Sequence, residues 1–160
     1  EPGIGTTFRI YLPRCNDMPG EITAGEKTGV LRGRETVLIV EDEESVLNPA
    51  VNLLGKLGYT VLPASNTAEG IKIAEGFNGK IDLLLSDVIL PGLNGKMLRE
   101  RILEFMPDIK CLFMSGHTED VIAYHGILSE EVQFIQKPFS LESLASRVRN
   151  VLDSGKPVTD

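Results

Sequence analysis

Three short stretches of the chain, Val37-Leu38-Ile39-Val40, Leu83-Leu84-Leu85 and Cys111-Leu112-Phe113-Met114, are apolar at every position. A strand reads this way when both of its faces are covered, as in a parallel sheet whose crossover helices lie on either side. Two further β-rich runs complete the set, placing strands at residues 36 to 40, 60 to 63, 82 to 86, 110 to 115 and 132 to 136. Segments of helical period alternate with them near residues 44 to 57, 67 to 77, 95 to 105, 118 to 124 and 141 to 153. Five β-α units in this order specify an α/β fold: a doubly wound, five-stranded parallel sheet with helices on both faces.

Local signals sharpen the helix limits. Ser65 or Asn66 followed by Glu69 matches an N-terminal capping pattern, and Ser140 is placed to cap the last helix. In that helix Leu141, Leu144, Ala145, Val148, Val151 and Leu152 recur at helical spacing and predict one buried face. Pro49 conflicts with an uninterrupted first helix, because proline lacks the amide that a helix interior needs. A start near Ser45, or a kink, accommodates it.

With 160 residues and 42% hydrophobic composition the chain can bury one sizeable core. Residues 15 to 34 carry Pro, Gly, Thr and scattered charge without periodicity and read as a linker, and residues 155 to 160 read as a loose tail. A net charge of -7 and a pI near 4.9 disfavour a nucleic-acid partner, since no dense stripe of Lys and Arg is available for phosphates. Cys15 and Cys111 fall in unrelated contexts, which argues against a disulfide framework and for a reducing, cytoplasmic setting. No run approaches the roughly 20 apolar residues of a membrane helix, so no membrane contact is expected from this chain.

In an open parallel sheet ligands bind beyond the carboxyl ends of the strands. Those positions hold Glu41-Asp42-Glu43 after the first strand, Asp87 after the third, Ser115-Gly116 after the fourth and Lys137-Pro138 after the fifth. Convergence of these ends gathers carboxylates, a hydroxyl and an ammonium. Carboxylates alone would repel, and a hard divalent cation resolves the repulsion; all-oxygen donors suit Mg2+ better than zinc. Such an ion can bridge a carboxylate and a phosphoryl oxygen, while Lys137 pairs with a second phosphoryl oxygen and Ser115 donates to a third. Asp87 is then the nucleophile. Each residue alone has a plain structural explanation, such as a solvated helix start or an ordinary turn; their joint placement at successive strand ends carries the reading.

Four stretches resemble the receiver domains of two-component response regulators. They are Val37-Leu38-Ile39-Val40-Glu41-Asp42-Glu43, the run from Leu85-Ser86-Asp87-Val88-Ile89-Leu90-Pro91-Gly92 through Leu93-Asn94-Gly95, Met114-Ser115-Gly116, and Gln136-Lys137-Pro138-Phe139. The resemblance covers residues 35 to 154 and implies a flavodoxin-like receiver in which Asp87 is the phosphoacceptor. It further implies that Asp42 and Asp87 ligate Mg2+, that Glu41 contacts the ion directly or through water, and that Ile89 contributes its backbone carbonyl. Ser115 and Lys137 match the hydroxyl and lysine positions of the family, with a cis peptide bond before Pro138, and Phe134 stands at the switch aromatic. Two departures are evident: Glu41 where many receivers carry aspartate, and Phe134 where tyrosine is common, so that inward rotation of the ring would answer to packing alone.

Residues 1 to 14, with Pro2-Gly3-Ile4-Gly5-Thr6-Thr7-Phe8, look like the final glycine box and last strand of a histidine-kinase ATP-binding domain. A remnant of that kind before a receiver implies a hybrid histidine kinase as the parent, with no kinase activity expected in this chain. The implied partner is the dimerisation and phosphotransfer domain of a histidine kinase, on the same or another chain. A homodimer through the fourth and fifth expected helices is a further possibility that the resemblance raises. The alternatives are a pseudo-receiver that docks without phosphotransfer, and an aspartyl-nucleophile phosphatase, which would carry its nucleophile after the first strand. His117 and His125 are isolated and read as surface residues.

Overall fold

In the computed structural model, which describes residues 9, 32–92, 94–116 and 133–154, the three apolar runs and the two further β-rich runs form one parallel sheet in the order β2-β1-β3-β4-β5. The strands are β1 (Thr36–Val40), β2 (Thr60–Ala64), β3 (Leu83–Asp87), β4 (Lys110–Ser115) and β5 (Gln133–Gln136). Four helices are described: α1 (Glu44–Lys56), α2 (Thr67–Gly76), α3 (Gly95–Leu103) and α4 (Leu141–Asp153). The expected helix near 118 to 124 lies outside the described residues. So do His117, His125, Cys15, most of residues 1 to 14 and the tail, and with them the expected pairing face that includes that helix.

Alternation along each strand sends side chains to opposite faces. Val37, Ile39, Leu83, Leu85, Leu112 and Met114 pack toward α1 and α4, where Leu54, Leu144 and Val148 meet them. Leu38, Val40, Leu84 and Phe113 pack toward α2 and α3, against Ala74, Leu98 and Ile102. This double coverage is why the central strands read as unbroken apolar runs, each fully buried large side chain contributing about 1.5–3 kcal/mol. Pro63 is tolerated because β2 is an edge strand.

The caps form as the sequence predicts. Asn66 accepts from the Glu69 amide at 2.9 Å, and the Glu69 carboxylate reaches back to the Ser65 amide at 2.7 Å, a reciprocal capping arrangement. Ser140 accepts from the Ser143 amide at 3.1 Å. The expected start of α1 near Ser45 is met to within one residue, whereas the expected burial of Leu141 needs correction. α1 begins at Glu44 and continues through Pro49, so the proline sits in the second turn and leaves the Ser45 carbonyl without its helical amide. Leu141 is 47% exposed, unlike Leu144, Ala145, Val148, Val151 and Leu152, which are buried. It occupies the first residue of α4, beside the strand ends.

Candidate functional site

The strand order reverses direction between β1 and β3: the chain first moves outward to β2 and then returns to the other side of β1. Such a switch point opens a crevice at the carboxyl ends of the two strands. Register places Val40 opposite Ser86, and Asp87 opposite Met114. Glu41, Asp42, Asp87 and Ser115 therefore all follow directly on, or close, this central part of the sheet. One carboxylate oxygen from each of Glu41, Asp42 and Asp87 lies within 4.8 Å of the others.

Lys137 completes the cluster from β5. Its Nζ donates to Glu41 Oε2 at 2.6 Å and to Asp87 Oδ2 at 2.7 Å, and its backbone amide donates to the Ser115 carbonyl at 2.7 Å. The Lys137–Pro138 peptide bond is cis. Glu41 is 1% exposed, while the Lys137 and Asp87 side chains each keep 16%. Burial raises the Glu41 carboxyl above its ordinary value, and the hydrogen bond from Lys137 only partly opposes this. The Lys137 ammonium is also raised, because two carboxylate partners outweigh the burial that pulls it down. The two directions agree physically: the lysine gains two anions, whereas the glutamate shares one cation in a dry position.

Three oxygen donors with no His or Cys among them suit a hard cation such as Mg2+ better than zinc. With all four groups ionised, the three carboxylates and one ammonium leave two negative charges uncompensated, which a divalent ion would neutralise. Asp42 is exposed and Asp87 partly so, leaving access from solvent.

Several contacts that shape the site go beyond the roles the sequence suggests. The Ile89 amide donates to Asp87 Oδ1 at 3.1 Å, holding the carboxylate from the side opposite Lys137. Ser86 Oγ donates to the Asp87 carbonyl at 2.8 Å. Gly95, first residue of α3, donates to the Val88 carbonyl at 3.0 Å. A Cβ at Gly95 would come within 2.3 Å of the Asp87 carbonyl oxygen and 3.0 Å of the Phe113 ring. Only glycine permits that approach, and the pair Asn94-Gly95 at a helix start is the one trace of it in the sequence; Asn94 caps α3 through the Met97 amide at 2.9 Å.

Ser115 is buried at the end of β4. Phe134 is half-buried on β5, its ring centroid 5.7 Å from that of Phe113 and tilted by 34°; its carbonyl accepts from Arg147 Nε at 3.1 Å. Beside Lys137 a groove of about 390 Å³ runs between α1 and the start of α4, lined by Val46, Pro49, Phe139 and Leu141 among others. Among the described residues no helix is long and apolar enough to cross a membrane.

Comparison with known proteins converges on one family. The response regulator receiver domain profile matches residues 37–149. The chain is 38% identical over 161 aligned positions to the sensor kinase CckA of Brucella abortus (strain 2308), a match covering 96% of this chain and 17% of that protein. It is 32% identical to the aerobic respiration control protein ArcA of Escherichia coli (strain K12), covering 72% of this chain and 48% of ArcA. The chain thus spans less than half the length of either relative. Among solved structures, the crystal structure of the receiver domain from the hybrid histidine kinase CckA superposes with a TM-score of 0.62 at 38% identity, covering 73% of this chain and 98% of that one. From the matched profile, the sheet order and the acidic cluster at the strand ends, the chain belongs to the response regulator receiver domain family of two-component signalling.

Proposed function

We propose that this receiver accepts a phosphoryl group from a phosphohistidine onto Asp87. The observation that carries the reading is the convergence of the Glu41, Asp42 and Asp87 carboxylates within 4.8 Å, with the Lys137 ammonium at 2.7 Å from Asp87. In the transfer, an Asp87 carboxylate oxygen attacks phosphorus in line with the leaving imidazole nitrogen. The new P–O bond forms as the P–N bond breaks, and the imidazole departs with the electron pair and takes up a proton. Asp87 is an ordinary carboxylate nucleophile, so the protein's contribution is positioning and charge neutralisation.

The residues divide that work. The Ile89 amide, on Asp87 Oδ1 at 3.1 Å, fixes the carboxylate plane. Lys137 offers its ammonium to the incoming phosphoryl oxygens once it releases Glu41 or Asp87, and Ser115 donates its hydroxyl to another. Glu41, Asp42, Asp87 and the Ile89 backbone carbonyl would hold Mg2+, which when bound would supply positive charge against the repulsion between the carboxylates and the phosphoryl group. Phosphorylation then biases a two-state equilibrium through Ser115 and Phe134, and the packing of Phe134 on Phe113 supports that role.

The donor is the phosphotransfer domain of a histidine kinase, and the groove between α1 and α4 offers it an apolar edge beside Lys137. We assign residues 35 to 154 to the receiver, 15 to 34 to a linker and 1 to 14 to the end of a kinase ATP-binding domain. The match to the sensor kinase CckA supports this hybrid origin, because it covers 96% of the chain and so extends well beyond the profile at 37–149. A cytoplasmic setting accords with Cys111, a buried free thiol. The test is incubation with acetyl phosphate and magnesium. The proposal predicts one phosphoryl adduct on the wild type and none on Asp87→Asn; an adduct that persists in the variant, or none in either protein, rejects it.

A further inference from the structure

At the opposite end of the sheet from the acidic site, the segment leading into β1 is held by contacts from three directions. The Gly33 amide donates to the Leu57 carbonyl at 3.0 Å, and the Tyr59 ring lies so close over Gly33 that a Cβ there would be 1.9 Å from it. Tyr59 is buried, so the ring cannot swing aside. The Glu35 carbonyl accepts from the Thr60 amide at 3.1 Å. Glu35 then turns its carboxylate to α4. Arg149 Nη2 donates to Oε1 at 2.8 Å and Nη1 to Oε2 at 3.1 Å, a paired fork.

The same guanidinium holds Asp153 through Nε and Nη2, both at 2.8 Å. The Glu35 and Arg149 side chains keep 22% and 15% exposure, which separates this network from a solvent-exposed ion pair of little worth. A planar fork on two carboxylates fixes orientation as well as distance. α4 is itself tied to the sheet at both levels: Arg147 reaches the Phe134 carbonyl, and Lys110 Nζ donates to the Val151 and Leu152 carbonyls at 3.1 and 2.7 Å.

We infer that Glu35 and Arg149 form a clamp that joins the segment leading into β1 to α4, so that residues 33 to 35 and that helix move as one body. The inference is independent of phosphate chemistry at Asp87. The clamp couples the entry of β1 to α4 at the end of the sheet remote from the acidic site. Arg149 is here a positioning residue, and lysine is no substitute, because a single ammonium cannot present a planar fork to Glu35 and Asp153 together.

Amide hydrogen exchange on the full chain separates a clamp from a merely stabilising ion pair. Glu35→Gln, Arg149→Gln and Arg149→Lys should each speed exchange of the Gly33 and Thr60 amides by roughly tenfold relative to that of the Leu38 and Leu84 amides in the sheet core. The double variant Glu35→Gln with Arg149→Gln should show little further change, because either substitution alone opens the clamp. Uniform acceleration of all four amides, additive effects in the double variant, or full protection with Arg149→Lys would each overturn the inference. Glu35→Gln preserves shape and the backbone contacts, so it keeps the test decisive if an arginine variant folds poorly.

Discussion

Lys137→Met removes the one cation that, among the described residues, pairs with both the Glu41 and Asp87 carboxylates, and the cost can be worked from the distances. At an effective dielectric constant of about 20, an ammonium at 2.6 Å from one carboxylate and 2.7 Å from another gains about 6 kcal/mol from each. Most of this offsets the cost of drying the three groups. Without the lysine, carboxylates no more than 4.8 Å apart repel by at least about 3 kcal/mol on the same scale. The variant can escape by protonating Glu41, which burial already pulls above its ordinary 4.5. Taking a group of pKa 4.5 to the neutral form at pH 7 costs about 3 kcal/mol, and at pH 5 less than about 1 kcal/mol.

Metal-free Lys137→Met should therefore be about 3 kcal/mol less stable than wild type at pH 7. The direction of the pH effect follows from linkage: in the variant the folded state holds a proton that the unfolded chain has released. Its stability is thus full below the unfolded value and fades as pH rises through the folded one. The gap should close to about 1 kcal/mol at pH 5, and magnesium at pH 7 should narrow it by replacing the missing charge. Urea denaturation at both pH values, with and without magnesium, measures all of this. A metal-free variant within about 0.5 kcal/mol of wild type at pH 7, or a penalty identical at pH 5 and 7, refutes the reasoning.

Gly95→Ala should cost about 1–3 kcal/mol in urea denaturation, since its Cβ would stand 2.3 Å from the Asp87 carbonyl and α3 must retreat; unchanged stability would mean that the helix start yields freely. The Arg149 hydrogen bonds hold the Glu35 carboxyl down at about 2, so the pair stabilises the fold above the unfolded value and is lost as pH falls toward 2. After allowance for solvent screening, Glu35→Gln should be about 1–2 kcal/mol less stable at pH 6, with the difference shrinking between pH 4.5 and 2; a gap independent of pH would contradict this. Pro49→Ala supplies the amide that the Ser45 carbonyl lacks and should raise stability by about 1 kcal/mol, readable as a higher urea midpoint.

The parts of this structure that depend on short-range pattern were legible in the sequence. The apolar runs set the strands because both faces are buried, and the Asn66-Glu69 and Ser140 caps follow from side chains three residues from their amides. Strand ends then located Glu41, Asp42, Asp87, Ser115 and Lys137, since topology brings those ends together. What remained hidden depends on distance in the chain. Glu35 and Arg149 are 114 positions apart, and no local pattern encodes the pair. Leu141 misled because helical period identifies a face and not where the sheet beneath it stops. Gly95 left only the trace of an Asn-Gly pair at a helix start, because its role is a missing atom beside the Asp87 carbonyl.

The central claim is that Asp87 takes the phosphoryl group, and it is met most directly by intact-protein mass measurement after incubation with a phosphorylated histidine phosphotransfer domain and magnesium. The account predicts a single added phosphoryl group on the wild type, mapped to Asp87, with none on Asp87→Asn. A chain that stays unmodified, or an adduct mapped to His117, His125 or another carboxylate, would contradict it.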